Sequence, residues 1–297
     1  MSETKHLAGK SIVVTGSGRG IGRAIALEVA RAGGNVVVND LDRDVAEEVV
    51  AEAKALGVDA VANTDSVGDW EGANKMVTQA VDSFGSVSGV INNAGNLRDV
   101  IFHKMTQEDW DVVINVHLKG SFNVSRAAAT HFRNQEGGVC VHMTSTSGLI
   151  GNFGQANYSA AKAGIAALSK SIALDMQRYN VRSNCIAPFA WSRMTASIPA
   201  DTPDQVARVE KLKKMVPEKV GIVAAALCSD KAAHITGQIF AVRMNEIFLM
   251  SQSRPVRSSH CGDGWTIDSI FETAMPQLES HFYPLHRSQD IFSWDPV

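Results

Sequence analysis

The 297-residue sequence predicts an α/β fold, a doubly wound parallel sheet in a single domain over residues 1–250, followed by a C-terminal extension over 251–297. Three observations lead there. Short apolar, β-branched runs alternate with helix-length amphipathic stretches, the pattern of strands joined by crossover helices. The first such run stops at a cluster of glycines that opens a helix. Hydrophobic residues make up 45% of the chain, enough for the core of a large α/β domain.

Taken in order, residues 11–15 (SIVVT) form the first strand, and Gly16-Ser17-Gly18-Arg19-Gly20-Ile21-Gly22 is the turn after it. A helix follows, with apolar residues at helical spacing and a glycine end signal at Gly33. Glycines let the backbone turn tightly and approach a ligand, and the helix behind them offers unpaired N–H groups and a positive dipole end. Gly16, Ser17, Arg19, Gly20, Ile21 and Gly22 are therefore read as a phosphate cradle, a flexible loop being the plain alternative. The second strand, residues 35–40, ends at Asp40, twenty positions after Gly20. A carboxylate there accepts the ribose hydroxyls of an adenosine and repels a 2′-phosphate, so NAD is expected as cofactor ahead of NADP. Arg19 offers a competing reading, because a guanidinium can pair with such a phosphate.

A helix at 43–56, a strand at 58–62, a helix at 69–84 and a strand at 88–92 continue the alternation. Asp65 follows the third strand and is read two ways, as a contact to an adenine edge or as a turn cap. The fourth strand runs into Asn92-Asn93-Ala94-Gly95, small residues at the strand end where ligands lie in open α/β sheets. Asn93, Ala94 and Gly95 are accordingly expected to wall the cofactor. A long helix over 107–133 carries Asn115 in its middle, where an amide that competes with the backbone predicts a kink or a polar contact. His117, two residues on, is read as a packed or surface histidine.

The fifth strand, within 138–145, delivers Ser145. Thirteen residues later comes Tyr158, and four after that Lys162, one helical turn on and on the same face. A phenol beside a cation is expected to have its pKa lowered, and a nearby serine hydroxyl can hold a carbonyl or carbinol oxygen against it. The sixth strand, 180–188, ends at Pro188. The acid/base pair and the phosphate cradle thus emerge on one edge of one sheet.

Composition narrows the partners. With 28 basic and 31 acidic residues the net charge is −3, which gives no field for nucleic acid and points to a small-molecule substrate. Cys140, Cys185, Cys228 and Cys261 lack disulfide or metal-ligand spacing, so free thiols and no metal are expected. The start is too charged for a signal peptide, and apolar runs such as residues 221–228 are too short for a bilayer, so a cytoplasmic protein with no membrane partner is expected.

Thr15-Gly16-x3-Gly20-x-Gly22, Asp40, Asn92-Asn93-Ala94-Gly95, Asn115, Ser145, Tyr158-x3-Lys162 and Asn184-x-Ile186-x-Pro188, in this order, resemble the short-chain dehydrogenase/reductase family over roughly residues 7–242. The resemblance implies a Rossmann-type sheet and a catalytic tetrad of Asn115, Ser145, Tyr158 and Lys162. In it Tyr158 is the acid/base, Ser145 positions the reacting oxygen, Lys162 also holds the nicotinamide ribose, and Asn115 keeps a relay water through its kink. Relatives imply a homo-oligomer, dimer or tetramer, through the helices bearing Asn115 and Tyr158. Residues 36–40, 151–164 and 186–195 look like the dehydrogenase unit of type 2 peroxisomal multifunctional enzymes and their hydroxyacyl-CoA or hydroxysteroid relatives. That implies NAD-linked oxidation of a secondary alcohol. An NADPH-dependent ketoacyl reductase is the alternative, and a non-catalytic nicotinamide-binding regulator is the alternative of another class. Phe189 departs from the family's usual glycine after the proline, and the chain continues well past the usual end.

Met194, Ile198, Val206 and Met215 suit either a substrate pocket or an ordinary helix face. Lys211, Lys213 and Lys214 read either as a site for coenzyme A phosphates or as a solvated face. The extension holds Trp265, Phe271, Phe282, Tyr283, Phe292 and Trp294, and aromatic surface of that size predicts packing on the body or on a neighbouring subunit. Thr266 is expected to cap a helix.

Overall fold

A computed structural model describes residues 4–190 and 202–297. Strand β1 (Ser11–Thr15) alternates its side chains between two helical layers, both dry. Ile12 and Val14 join one core cluster and Val13 the other. β2 (Asn35–Asn39) divides in the same way, with Val36 and Val38 against Val37. A strand buried on both faces needs apolar residues at every position, which is why these runs read as continuous rather than alternating.

The remaining strands are β3 (Ala60–Asn63), β4 (Gly89–Asn92), β5 (Gly138–Met143), β6 (Val181–Phe189), β7 (Ile239–Arg243) and β8 (Glu246–Leu249). They form one eight-stranded sheet in the order β3-β2-β1-β4-β5-β6-β7-β8, parallel except for the last pair. The order reverses between β1 and β4, so the chain leaves these two neighbours in opposite directions and opens a crevice at their carboxyl ends. The antiparallel β8, made by the stretch past the usual family end, follows a tight reversal in which Met244 takes φ 53°.

On one face lie α1 (Gly20–Arg31), α2 (Arg43–Ala55) and, after α8 (Pro203–Lys213), α9 (Glu218–Cys228). The other carries α3 (Trp70–Phe84), α4 (Gln107–Ile114), α5 (Gly120–Asn134) and, after the short α6 (Thr146–Leu149), α7 (Ala156–Met176). In α7, Asn157, Ala161, Ile165, Ser169 and Ala173 make a buried seam at every fourth position. Lys162 sits beside that seam, so its side chain runs inward.

The predicted long helix over 107–133 is two helices joined by a π turn, Asn115–Lys119. The kink expected at Asn115 takes this form, one extra residue in the turn.

The extension contains α10 (Ile267–Ser269), a π turn, α11 (Met275–Glu279) and α12 (Ser288–Ile291). Thr266 caps the first of these by accepting from the Ser269 amide at 3.1 Å. Phe292 meets Phe189 edge-on, with ring centroids 4.9 Å apart, and also contacts Phe248 and Trp294. Trp294 Nε1 donates to Glu246 at 2.9 Å, and the Asn245 amide donates to the Val297 carbonyl at 3.0 Å. The bulky residue after Pro188 is thus matched by an aromatic from the extension.

Candidate active site

The glycine turn is shaped by contacts as much as by freedom. At Gly22 a Cβ would lie 2.1 Å from the Gly16 carbonyl oxygen, and at Gly16, itself at φ 60°, 2.7 Å from Ala94 Cα. Neither position admits a side chain. Gly20 has φ 55° with nothing within 4 Å of a Cβ, so it faces open space. Arg19 at the N-cap of α1 makes no side-chain cap, and the first turn holds no acidic residue. The first-turn N–H groups and the helix dipole are therefore available to an anion. Asp40 is at the end of β2, where one carboxylate oxygen accepts from the Gly18 amide at 3.0 Å and the other from the Asp42 amide at 3.2 Å. The turn, the open side at Gly20 and this carboxylate fit a dinucleotide.

Other predicted cofactor residues have duties within the protein. Ser17 is fully buried and donates its hydroxyl to the Val14 carbonyl at 2.7 Å, so it shapes the turn. Arg19 pairs with Asp42 at 2.8 Å, and the guanidinium holds that carboxyl below its usual range. The Arg19 charge is thus already answered, against the reading of it as a 2′-phosphate ligand. The Asp65 carboxylate accepts from Asn63 Nδ2 at 2.8 Å, and the Asp65 amide donates to Asn63 Oδ1 at 3.0 Å, a turn-capping arrangement. Asn93 Nδ2 donates to the carbonyls of Thr15 and Gly16, at 3.0 and 2.9 Å, tying β4 to the glycine turn. Thr15, the first residue of the glycine motif, completes that tie by accepting from the amides of Asn93 and Ala94. Ile21 packs against the core, and Pro188 pairs with Val242 in the sheet.

Ser145 leaves the end of β5 and caps α6, its Oγ accepting from the Ser147 amide at 3.1 Å. Ser147 in turn donates to Gln155, and Gln155 donates to Asp99, at 2.9 and 2.8 Å. Ser145 Oγ thus accepts a backbone proton, and its side chain also hydrogen-bonds Tyr158. Asn157 fixes the phenol-bearing residue: its Oδ1 accepts from the Tyr158 amide at 2.7 Å, while its Nδ2 donates to the carbonyls of Asp109 and Arg98.

Tyr158 and Lys162 share a face as the spacing requires, but the electrostatics differ from expectation. Lys162 Nζ donates to the Met143 carbonyl at 2.6 Å and lies 5.4 Å from the Tyr158 ring centroid. Burial pushes the phenol up, opposed by its hydrogen bond with Ser145 and reinforced by the Asp99 charge. Burial also brings the ammonium down to about 7. The expected lowering of the Tyr158 pKa is therefore reversed here, since desolvation of the phenol outweighs its hydrogen bond with Ser145.

Asn115 is exposed, and its amide lies against Gly68, where a Cβ would come within 2.4 Å of Nδ2. Among the described residues no hydrogen bond joins its side chain to Ser145, Tyr158 or Lys162. His117 is instead the buried member of the π turn, its ring edge-on to Tyr158 at 5.2 Å. By sequence alone His117 reads as a packed or surface histidine, and its place two residues after Asn115 is the signal for more.

Toward the substrate side, Met194 and Ile198 lie outside the described residues. Val206 is exposed and Met215 buried, so those two do not share a surface. Lys211 pairs with Asp295 at 2.5 Å and Lys213 with Glu210 at 2.6 Å, the solvated-face reading of that cluster. Ser288 docks the extension onto Gly151, between Ser145 and Tyr158, donating from its amide at 3.0 Å. Cys140, Cys185 and Cys228 are buried free thiols. Among the described residues no helix is long and apolar enough to cross a membrane.

The family model described as short chain dehydrogenase matches residues 10–202. The chain is 40% identical over 309 aligned positions to hydroxyacyl-CoA dehydrogenase ChsB1 of Mycobacterium tuberculosis, covering 100% of this chain and 88% of that protein. It is 43% identical to peroxisomal multifunctional enzyme type 2 of Mus musculus over 82% of this chain, which spans only 32% of that longer protein. A crystal structure of a short chain dehydrogenase from Mycobacterium avium superposes with a TM-score of 0.83 at 35% identity, covering 94% of this chain and 97% of that one. With its reversed sheet order, glycine turn and Ser145, Tyr158 and Lys162 on one edge, this chain belongs to the short-chain dehydrogenase/reductase family, enzymes acting on CH–OH groups, and resembles the dehydrogenase unit of the type 2 multifunctional enzymes.

Proposed function

We propose that this chain interconverts a secondary alcohol and a ketone with NAD as hydride carrier, and that the substrate is a 3-hydroxyacyl-CoA or a hydroxysteroid, free or as its CoA thioester. The observation that carries the chemistry is the convergence of Ser145, Tyr158 and Lys162 on the sheet edge that also bears the glycine turn and Asp40. When bound, the dinucleotide supplies a hydride acceptor for oxidation and a hydride donor for reduction. Gly20, Ile21 and Gly22 hold its pyrophosphate through backbone N–H groups, Asp40 its adenosine ribose, and the wall from Asn93 to Gly95 its nicotinamide end.

Ser145 donates its hydroxyl proton to the substrate oxygen, and Tyr158 exchanges the substrate's hydroxyl proton. The phenol keeps its proton at neutral pH, the form that protonates a ketone oxygen in reduction. Oxidation begins from the phenolate, so turnover in that direction rises with pH. Lys162, titrating near neutrality, supplies positive charge beside the phenol ring. Asn115 contributes through its π turn, where the family's relay water is held.

The substrate class rests on the alignment with hydroxyacyl-CoA dehydrogenase ChsB1 along the whole chain. NAD is favoured because Asp40 stands at the strand end and Arg19 is already paired. We further read the protein as cytoplasmic, from its free thiols, and as a homo-oligomer, from the family.

The test is turnover, followed by nicotinamide absorbance, with NAD and NADP against 3-hydroxyacyl-CoAs, hydroxysteroids and simple secondary alcohols. Turnover with NAD and a CoA thioester supports the full reading, and turnover confined to small alcohols rejects the substrate class. Asp40→Ala should weaken NAD binding about 10- to 100-fold, the worth of a hydrogen bond to a charged group, while NADP binding holds or improves. Unchanged discrimination between the two would reject the role given to Asp40.

A further inference from the structure

His117 lies beneath the phenol with 4% of its surface exposed. Its ring stands at 85° to that of Tyr158, the edge-to-face arrangement that aromatic pairs favour. On its other side Nε2 is 2.7 Å from the Asn96 carbonyl oxygen and 3.1 Å from the Asn96 amide. Gly95 is pressed onto the ring, so that a Cβ there would come within 2.3 Å of Cε1. The His117 carbonyl accepts from the Ser121 hydroxyl at 2.6 Å, which anchors the residue in its π turn. One side chain therefore touches both the strand-end wall and the acid/base residue.

A purely packing role would be met by phenylalanine, which carries no polar atoms. Histidine here leaves Nδ1 buried and without a partner, an unfavourable choice in a core. The tie to Asn96 is what distinguishes it. Burial, with the Lys162 charge adding to it, holds the ring neutral with a pKa near 3, so it acts by shape and hydrogen bonding.

We propose that His117 is a positioning residue that sets the angle of the Tyr158 ring against the wall formed by Asn93 to Asn96, aligning the phenol hydroxyl with the substrate oxygen. The proposal rests on the reading of Tyr158 as the acid/base. A phenol displaced by about an ångström loses about 100-fold in rate even when everything still binds.

The experiment compares wild type, His117→Ala, His117→Phe, His117→Gln and Tyr158→Phe, using a 3-hydroxyacyl-CoA with protium or deuterium at the carbinol carbon and NAD. His117→Ala is expected to lower kcat about 100-fold, with a raised isotope effect on kcat as hydride transfer becomes limiting. His117→Phe, which keeps the ring contact, and His117→Gln, which keeps a donor for Asn96, should each recover part of the loss. A kcat within about 3-fold of wild type in His117→Ala overturns the proposal. So does a loss that follows the folded fraction, measured by circular dichroism, with the isotope effect unchanged. Should His117→Ala fail to fold, His117→Phe alone decides by the same isotope criterion. Retained turnover in Tyr158→Phe is a separate failure, of the acid/base reading itself, and overturns the His117 role with it.

Discussion

Beneath Tyr158, polar side chains are buried and tied by hydrogen bonds to the fold; along residues 251–297, large apolar side chains stand in solvent and a few contacts anchor the chain. Asn157 makes three hydrogen bonds to backbone, and Lys162, His117 and His142 are nearly or wholly buried. In the extension Ile267, Phe271, Tyr283 and Leu285 are exposed, whereas Ser288 is buried and Phe292 and Trp294 close onto Phe189, Phe248 and Glu246. Buried polar groups are costly to leave unpaired, so removing one partner there has a large effect. Exposed rings are bounded by the little surface they hide.

Acid should sharpen this contrast most. Burial, reinforced by the Lys162 charge, holds His117 at about 3 and His142 at about 4, against 6.5 for a free imidazole. Between those values the unfolded chain binds the protons, so the stability these neutral rings allow is intact above pH 6.5 and is lost as pH falls toward 4 and then 3. Two such groups give about 4 kcal/mol of loss between pH 7 and 5, at about 1.4 kcal/mol per unit for each. Urea unfolding at the two pH values measures it, and His142→Gln should remove roughly half of the pH-dependent part, with His117 still contributing. An unchanged slope in that variant would show that His142 is not the sensor.

Asn157→Ala comes next. It strips an acceptor from the Tyr158 amide and donors from the Asp109 and Arg98 carbonyls, and should cost about 3 kcal/mol in urea unfolding, along with turnover. Phe292→Ala, the counterpart in the extension, should cost about 1 kcal/mol, because the ring pairs with neighbours but remains partly open. A larger loss for Phe292→Ala than for Asn157→Ala would invert the comparison.

The same division governs what could be read from the sequence. β1, its glycine turn, Asp40 and the Tyr158 to Lys162 spacing were legible because each is a local pattern tied to one backbone geometry. The kink at Asn115 was legible from the poor fit of an amide inside a helix, though not its form as a π turn. The reversal at Met244 that makes β8 was not, since neither Met244 nor Asn245 forms a strong hairpin signal with glycine. The titration of Tyr158 was misjudged for a related reason. Spacing reports that Lys162 is near, but only the fold reveals that Nζ is drawn to the Met143 carbonyl and that burial dominates both groups. Likewise the weight of His117 follows from Gly95 and Asn96, far from it in sequence and pressed against it in space.

The central claim is that Tyr158 performs proton transfer on an oxygen held beside a bound nicotinamide. Its most direct test measures NAD binding and single-turnover reduction of NAD side by side in wild type and Tyr158→Phe, with a 3-hydroxyacyl-CoA as substrate. The account predicts NAD affinity within about 3-fold and a turnover rate lower by about 1,000-fold in the variant. Equal turnover in the two proteins would contradict it.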